Sequence, residues 1–123
     1  MLVKRNLDEV PCPPLAMDGT KNVSMQIMVG RADGAPNFAL RQFRVGEGGY
    51  TPRHSHNYEH EVVVLGGEGT VEYDGANHPV RSGDVVFIEP NKLHQFRADR
   101  GSDLHFVCLV PVSFDCGKPT PGS

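Results

Sequence analysis

The sequence predicts an all-β domain, a sandwich or small barrel of short antiparallel strands. Three observations lead there. Apolar runs of four to eight residues alternate with turn-forming clusters such as EGGY, LGGEG and RSGD. Glycine and proline are plentiful, 14 and 10 among 123 residues. No segment sustains the 3.6-residue apolar period of an amphipathic helix.

Taken in order, residues 1–22 form an extended arm, because Pro11, Pro13 and Pro14 exclude a regular helix. There is room near it for a 3₁₀ turn or one short helix. VSMQIMV at 23–29 can make the first strand, and RADGAPN then turns the chain. In FALRQFRV, at 38–45, strand alternation sets Arg41 and Phe43 on one face and Leu40, Gln42 and Arg44 on the other. Further strands are expected at 54–56, 61–65, 70–73, 85–88, 94–97 and 104–110. DGANHPV reads as a turn carrying an exposed His78. After residue 112 the proline- and glycine-rich tail, 113–123, is expected to be flexible.

Composition narrows the function classes. The apolar fraction of 38% and charged fraction of 22% are ordinary for one globular domain, 23–112 here. A net charge of −3 with scattered arginines argues against nucleic acid. No stretch approaches the roughly 20 apolar residues of a membrane helix, and the first residues lack the apolar core of a signal peptide. Cys12, Cys108 and Cys116 are odd in number and widely spaced, which fits neither a disulfide scaffold nor a zinc knuckle. A reducing cytoplasm suits such a chain.

Histidine is concentrated where chemistry is expected. Of six histidines, His54, His56 and His60 fall within seven positions, and His94 follows on a later strand-like run. Neutral imidazoles suit zinc, iron, nickel or copper, and an adjacent carboxylate adds manganese. On a strand, residues two apart share a face, so His54 and His56 aim at one cavity. His60 keeps that parity if the strand is unbroken; a bulge at Asn57 or Tyr58 would bring in Glu61 instead. Both stay in play, with His60 favoured. In LHFVCLV, His105 faces away if Phe106 and Cys108 face the cavity. Cys108 then serves as a buried packing side chain beside the site.

These residues resemble the cupin superfamily. Its first motif is a glycine, five residues, a histidine pair spaced by one, three or four residues, a glutamate, then six residues and a glycine. Gly48, His54 and His56 follow it; Glu61 stands at the longer spacing and His60 at the shorter, from which Gly67 closes the motif. In the second motif Gly83 and His94 are correctly separated. Glu89, Asn91 and Ala98 replace its proline, glycine and asparagine, and Pro90 sits one place late. The resemblance covers about 38–110.

It implies a double-stranded β-helix, the cupin jelly-roll barrel, with one divalent metal on His54, His56, His60 and His94. Manganese or iron is favoured, with zinc, nickel or copper possible. It further implies a small-molecule substrate, dioxygen as a co-substrate, and a homodimer in which the arm is exchanged. The activity implied is that of a dioxygenase-like oxidoreductase, with a metal-assisted isomerase or lyase and a non-enzymatic binding or sensing protein as alternatives. Glu61, Tyr58, Arg41 and Cys108 are the candidate pocket residues, each with a structural role available to it.

Overall fold

The computed structural model describes residues 2–115. Seven strands run through it: β1 Lys21–Val29, β2 Phe38–Tyr50, β3 His60–Tyr73, β4 Ala76–Arg81, β5 Val85–Ile88, β6 His94–Ala98 and β7 Leu104–Pro111. The helical residues are 3₁₀ turns at Arg31–Asp33 and Val112–Phe114.

All pairings between these strands are antiparallel. The long strands β2 and β3 each pair with both β6 and β7, which closes the sheet into a barrel. Residues 61–67 of β3 pair with β7, whereas residues 69–73 pair with β6. The strand changes partner at the glycines of LGGEG, where the register slips between Val64 and Gly66. Gly67 has φ +81°, and a Cβ there would collide with the Asp103 carbonyl oxygen. The corner therefore requires glycine. This also joins two expected strands, 61–65 and 70–73, into one.

Two other local expectations change. The expected strand at 54–56 is a single bridge, with His54 N–H donating to His94 O at 3.1 Å and His94 N–H returning to His54 O at 2.9 Å. DGANHPV is mostly strand, because Asp74 (φ 50°) and Gly75 (φ 86°) complete the reversal by themselves. His78 lies exposed on β4, the last strand in the sheet order, where Pro79 costs little.

The barrel interior is filled by alternate residues of each strand. Val62, Val64, Val45, Leu104 and Ile88 are essentially fully buried. Phe106 stacks between Phe43 and Phe96, with ring centroids 5.1 and 4.7 Å away. The arm folds back along its own barrel: Leu15 N–H donates to Val23 O, and Met25 N–H to Pro13 O. At the other end the second 3₁₀ turn sets Phe114 on Tyr58, and Asp115 is buried. The expected flexible tail lies outside the described residues from 116 onward.

Candidate metal centre

One potential donor atom from each of His54, His56, His60 and His94 lies within 4.8 Å of the other three. Three different backbone contexts place them. His60 opens β3 and points inward, since inward residues on that strand are His60, Val62 and Val64. His94 opens β6 and is tied by its backbone to His54. His56 follows in the loop, where its carbonyl accepts from Asn91 N–H at 2.7 Å. Asn91 has φ +67°, which asparagine tolerates better than most side chains. It thus fills the place of the motif's glycine.

The approach to His54 is pinned from two sides. Thr51 Oγ1 accepts from Phe96 N–H at 3.0 Å, and Thr51 N–H donates to Phe96 O at 2.9 Å. The Arg53 guanidinium grips Glu72 through Nε and Nη2, at 3.0 and 2.8 Å to Oε2. Motif spacing signals neither anchor.

The hydrogen bonds fix where three of the four imidazoles, those of His56, His60 and His94, carry their protons. His56 Nδ1 lies 2.7 Å from Tyr58 O, and His94 Nδ1 lies 2.8 Å from Lys92 O. A carbonyl only accepts, so both Nδ1 atoms are protonated and both Nε2 lone pairs are free. His56 Nε2 therefore accepts from His60 Nε2–H across 2.7 Å. His60 Nδ1 is then bare and accepts the Cys108 thiol hydrogen at 3.1 Å. A directed chain runs from Cys108 through His60 and His56 to Tyr58 O.

Neutral rings are what the surroundings enforce. Burial pushes His54 and His56 down to about 4, and His94 adds to the effect in both. Burial and then the Arg41 charge push His60 down to about 2. Burial also lowers His94, against the help of the Lys92 carbonyl. The Cys108 thiol is raised by burial, with Arg41 opposing, and so keeps its hydrogen.

Such a set fits a transition-metal ion. Four nitrogens converge, and backbone carbonyls orient two rings from behind. To present Nε2 to an ion, His60 must shift its N–H to Nδ1, and the Cys108 sulfur then becomes the acceptor. The thiol hydrogen has Leu109 O as an alternative at 3.9 Å.

Beside the histidines lies a cavity of about 60 Å³, lined by Phe43, Phe96, Phe106 and the thiol, with Leu15 and Met17 from the arm. Arg41 and Tyr58 line it too, and both are buried. Tyr58 stacks on His56 at 3.8 Å between centroids. Glu61 is not brought to the site: it is exposed on the opposite face of β3, against Leu109 and Phe87. His105 faces outward and bonds Gln42 Oε1 at 2.8 Å. The wall contributed by Leu15 and Met17 was not legible beforehand, because nothing in a proline-rich arm indicates where it folds back.

Fold and site define a closed antiparallel β-barrel with a four-histidine cluster able to hold a metal ion. A family model described as the Cupin domain matches residues 41–110, and the chain belongs to that family. Over 76 residues it is 37% identical to 1-methylthio-D-xylulose 5-phosphate methylsulfurylase of Rhodospirillum rubrum, covering 62% of this chain and 49% of that protein. Over 58 residues it is 31% identical to an oxalate-binding protein of Thermotoga maritima, covering 46% and 48%. The chain thus spans about half the length of these curated relatives. Among solved structures, the polyketide cyclase RemF from Streptomyces resistomycificus superposes with a TM-score of 0.86 at 28% identity, covering 91% of this chain and 80% of that one. Among the described residues no helix is long and apolar enough to cross a membrane.

Proposed function

We propose that the chain is a metal-dependent oxidoreductase of the dioxygenase type, acting on a small electron-rich organic substrate beside an ion held by His54, His56, His60 and His94. The observation that carries this reading is the lining of the cavity. The imidazoles of His54, His60 and His94 face it, yet among the described residues no aspartate, glutamate or lysine does. With the imidazoles committed as ligands, no strong general base remains among the lining side chains. Chemistry that turns on side-chain proton abstraction is poorly served, and electron relay is not.

A redox-active ion bound there, manganese or iron, would supply electron transfer between substrate and dioxygen. The protein supplies the rest. His56 and His94 hold their Nε2 atoms inward through carbonyl bonds, and the Cys108–His60 contact keeps the third ring in place. Phe43, Phe96 and Phe106 exclude water and receive the carbon body of the substrate. The test is turnover of enol and phenol substrates by metal-loaded protein with oxygen consumption followed in parallel. Turnover that persists unchanged under strict anaerobiosis overturns the proposal.

The likeness to a polyketide cyclase favours a second reading. There an ion of the same site polarises a carbonyl, as in a metal-assisted isomerase or lyase, and turnover is independent of oxygen. The likeness to an oxalate-binding protein supports a third, a small-molecule binding or sensing role without turnover. Zinc, nickel or copper would serve either.

A homodimer in a reducing cytoplasm completes the proposal. The outer sheet face exposes Val85 and Phe87, 76% and 55% accessible, next to Val63 and Leu65. A patch of this kind suits a self-association surface. Exchange of the arm between subunits belongs to the same proposal, and would transfer to a second copy the contacts that Pro13 and Leu15 make here with β1 of their own barrel. Cys108 is a free thiol whose hydrogen is in use, which a reducing compartment preserves.

A further inference from the structure

Arg41 is 3% accessible and among the described residues has no carboxylate partner. Every other arginine is treated differently by the fold. Arg5, Arg31, Arg44, Arg53 and Arg97 each pair with an acid, and Arg81 and Arg100 stand exposed in water. Among the described residues Arg41 Nη2 donates only to the Cys108 sulfur, at 3.7 Å, and its buried Nε has no partner. The guanidinium carbon sits 5.1 Å from the centroid of Phe43. That ring offers attraction to the charge but no hydrogen-bond acceptor.

A buried guanidinium without a counter-ion is costly, and an apolar side chain of similar volume would pack there at no such cost. Alternation on β2 and the Arg41–Cys108 pairing turn this charge to the inside of the barrel, where it lines the same cavity as the histidines. Among the described residues no acidic side chain lines that cavity. The charge faces a space that an entering ligand can fill.

We propose that Arg41 is the anion-recognition residue of this pocket, and that the ligand is a short organic carboxylate. The proposal rests on the metal-site reading above and narrows its substrate class. A planar carboxylate matches the guanidinium fork, which presents parallel N–H donors. The free Nε is one such donor. The aromatic floor receives a short carbon body, and a cavity of about 60 Å³ suits a compact ligand. Four neutral imidazoles would leave the charge of a divalent ion uncompensated, and an anion in the cavity would answer that charge together with the guanidinium.

The test is calorimetric titration of manganese-loaded protein, its metal stoichiometry measured first, with glycolate, oxalate, the neutral amide glycolamide and inorganic phosphate. Glycolate and oxalate are expected to bind at least tenfold more tightly than glycolamide. Arg41→Met should remove that preference while metal content stays at the wild-type level, and Arg41→Lys should keep part of it. Equal affinity of wild type and Arg41→Met for oxalate, at full metal occupancy, overturns the proposal, as does equal binding of glycolate and glycolamide. Phosphate bound more tightly than either carboxylate overturns the assignment of ligand class. If Arg41→Met does not fold, by circular dichroism, Arg41→Lys decides: carboxylate affinity falling with oxalate most affected supports the fork, and unchanged affinity for all four probes counts against it. Wild type that takes up no metal sinks the metal reading instead. In that event the same titrations on metal-free protein test Arg41 alone, with Arg41-dependent oxalate binding expected and its absence overturning the proposal.

Discussion

The Cys108 thiol donates to Nδ1 of His60 across 3.1 Å, so a buried packing residue decides which nitrogen of a candidate ligand is bare. Removing that partner should be felt by the metal. Cys108→Val, which fills similar space with no polar atom, is expected to weaken metal binding by about tenfold, the effect usual for an outer partner of a ligand histidine. Cys108→Ser can both donate and accept, and should lose less. Competition titration against a chelator gives the affinities; unchanged binding in Cys108→Val would show that the contact does not orient His60.

Ligand identity separates cleanly between His56 and Glu61. His56→Ala should nearly abolish metal occupancy while the β-sheet circular dichroism is retained. Glu61→Gln should leave the metal-to-protein ratio intact, since Glu61 points away from the cavity on the exposed face of β3. Elemental analysis of purified variants decides both. Severe metal loss in Glu61→Gln would contradict the placement of that side chain.

The metal-free protein should weaken in mild acid. His54 and His56 hold their pKa near 4 and His60 near 2 when folded, against 6.5 for the free side chain. Between these values the unfolded chain binds more protons than the folded one, so stability rises with pH. It is full above about 6.5, falls as pH drops from 6.5 toward 4, and keeps falling below that through His60. Asp33 and Glu72, both held below their ordinary values by arginine partners, add their losses only at lower pH. A thermal midpoint of metal-free protein that stays flat between pH 7 and 5 would contradict neutral, buried imidazoles.

Phe87→Glu should shift the protein toward monomer in analytical ultracentrifugation, because Phe87 and Val85 dominate the exposed apolar face. The barrel itself should tolerate the change, as the side chain lies outside the core. Sedimentation identical to wild type would remove this face as the association surface.

Much of the barrel and nearly all of its histidine cluster could be read from residue order, for physical reasons that differ by element. The chain is not a continuous strand between His54 and His60, so parity across 54–60 does not explain the third histidine. Alternation within β3 turns His60 inward with Val62 and Val64 and Glu61 outward, and the same rule turns Arg41, Phe43, Phe106 and Cys108 inward. Strand β4 was hidden because Asp74-Gly75 is a complete reversal and the polar residues after it lie on an exposed edge. The stretch 54–56 has the spacing of a ladder strand, but the neighbouring strands leave it only one bridge, through His94. The missing counter-ion of Arg41 was beyond reach, since charge pairing depends on which strands become neighbours.

The cavity draws its donors and part of its wall from separate parts of the chain. The four histidines sit on the barrel and the loops it anchors, whereas Leu15 and Met17 arrive from an arm held by two backbone hydrogen bonds to β1. Substitutions in the arm can therefore reshape what enters without touching the ligand set. The donor set and the shape of the cavity are, in this molecule, separately heritable.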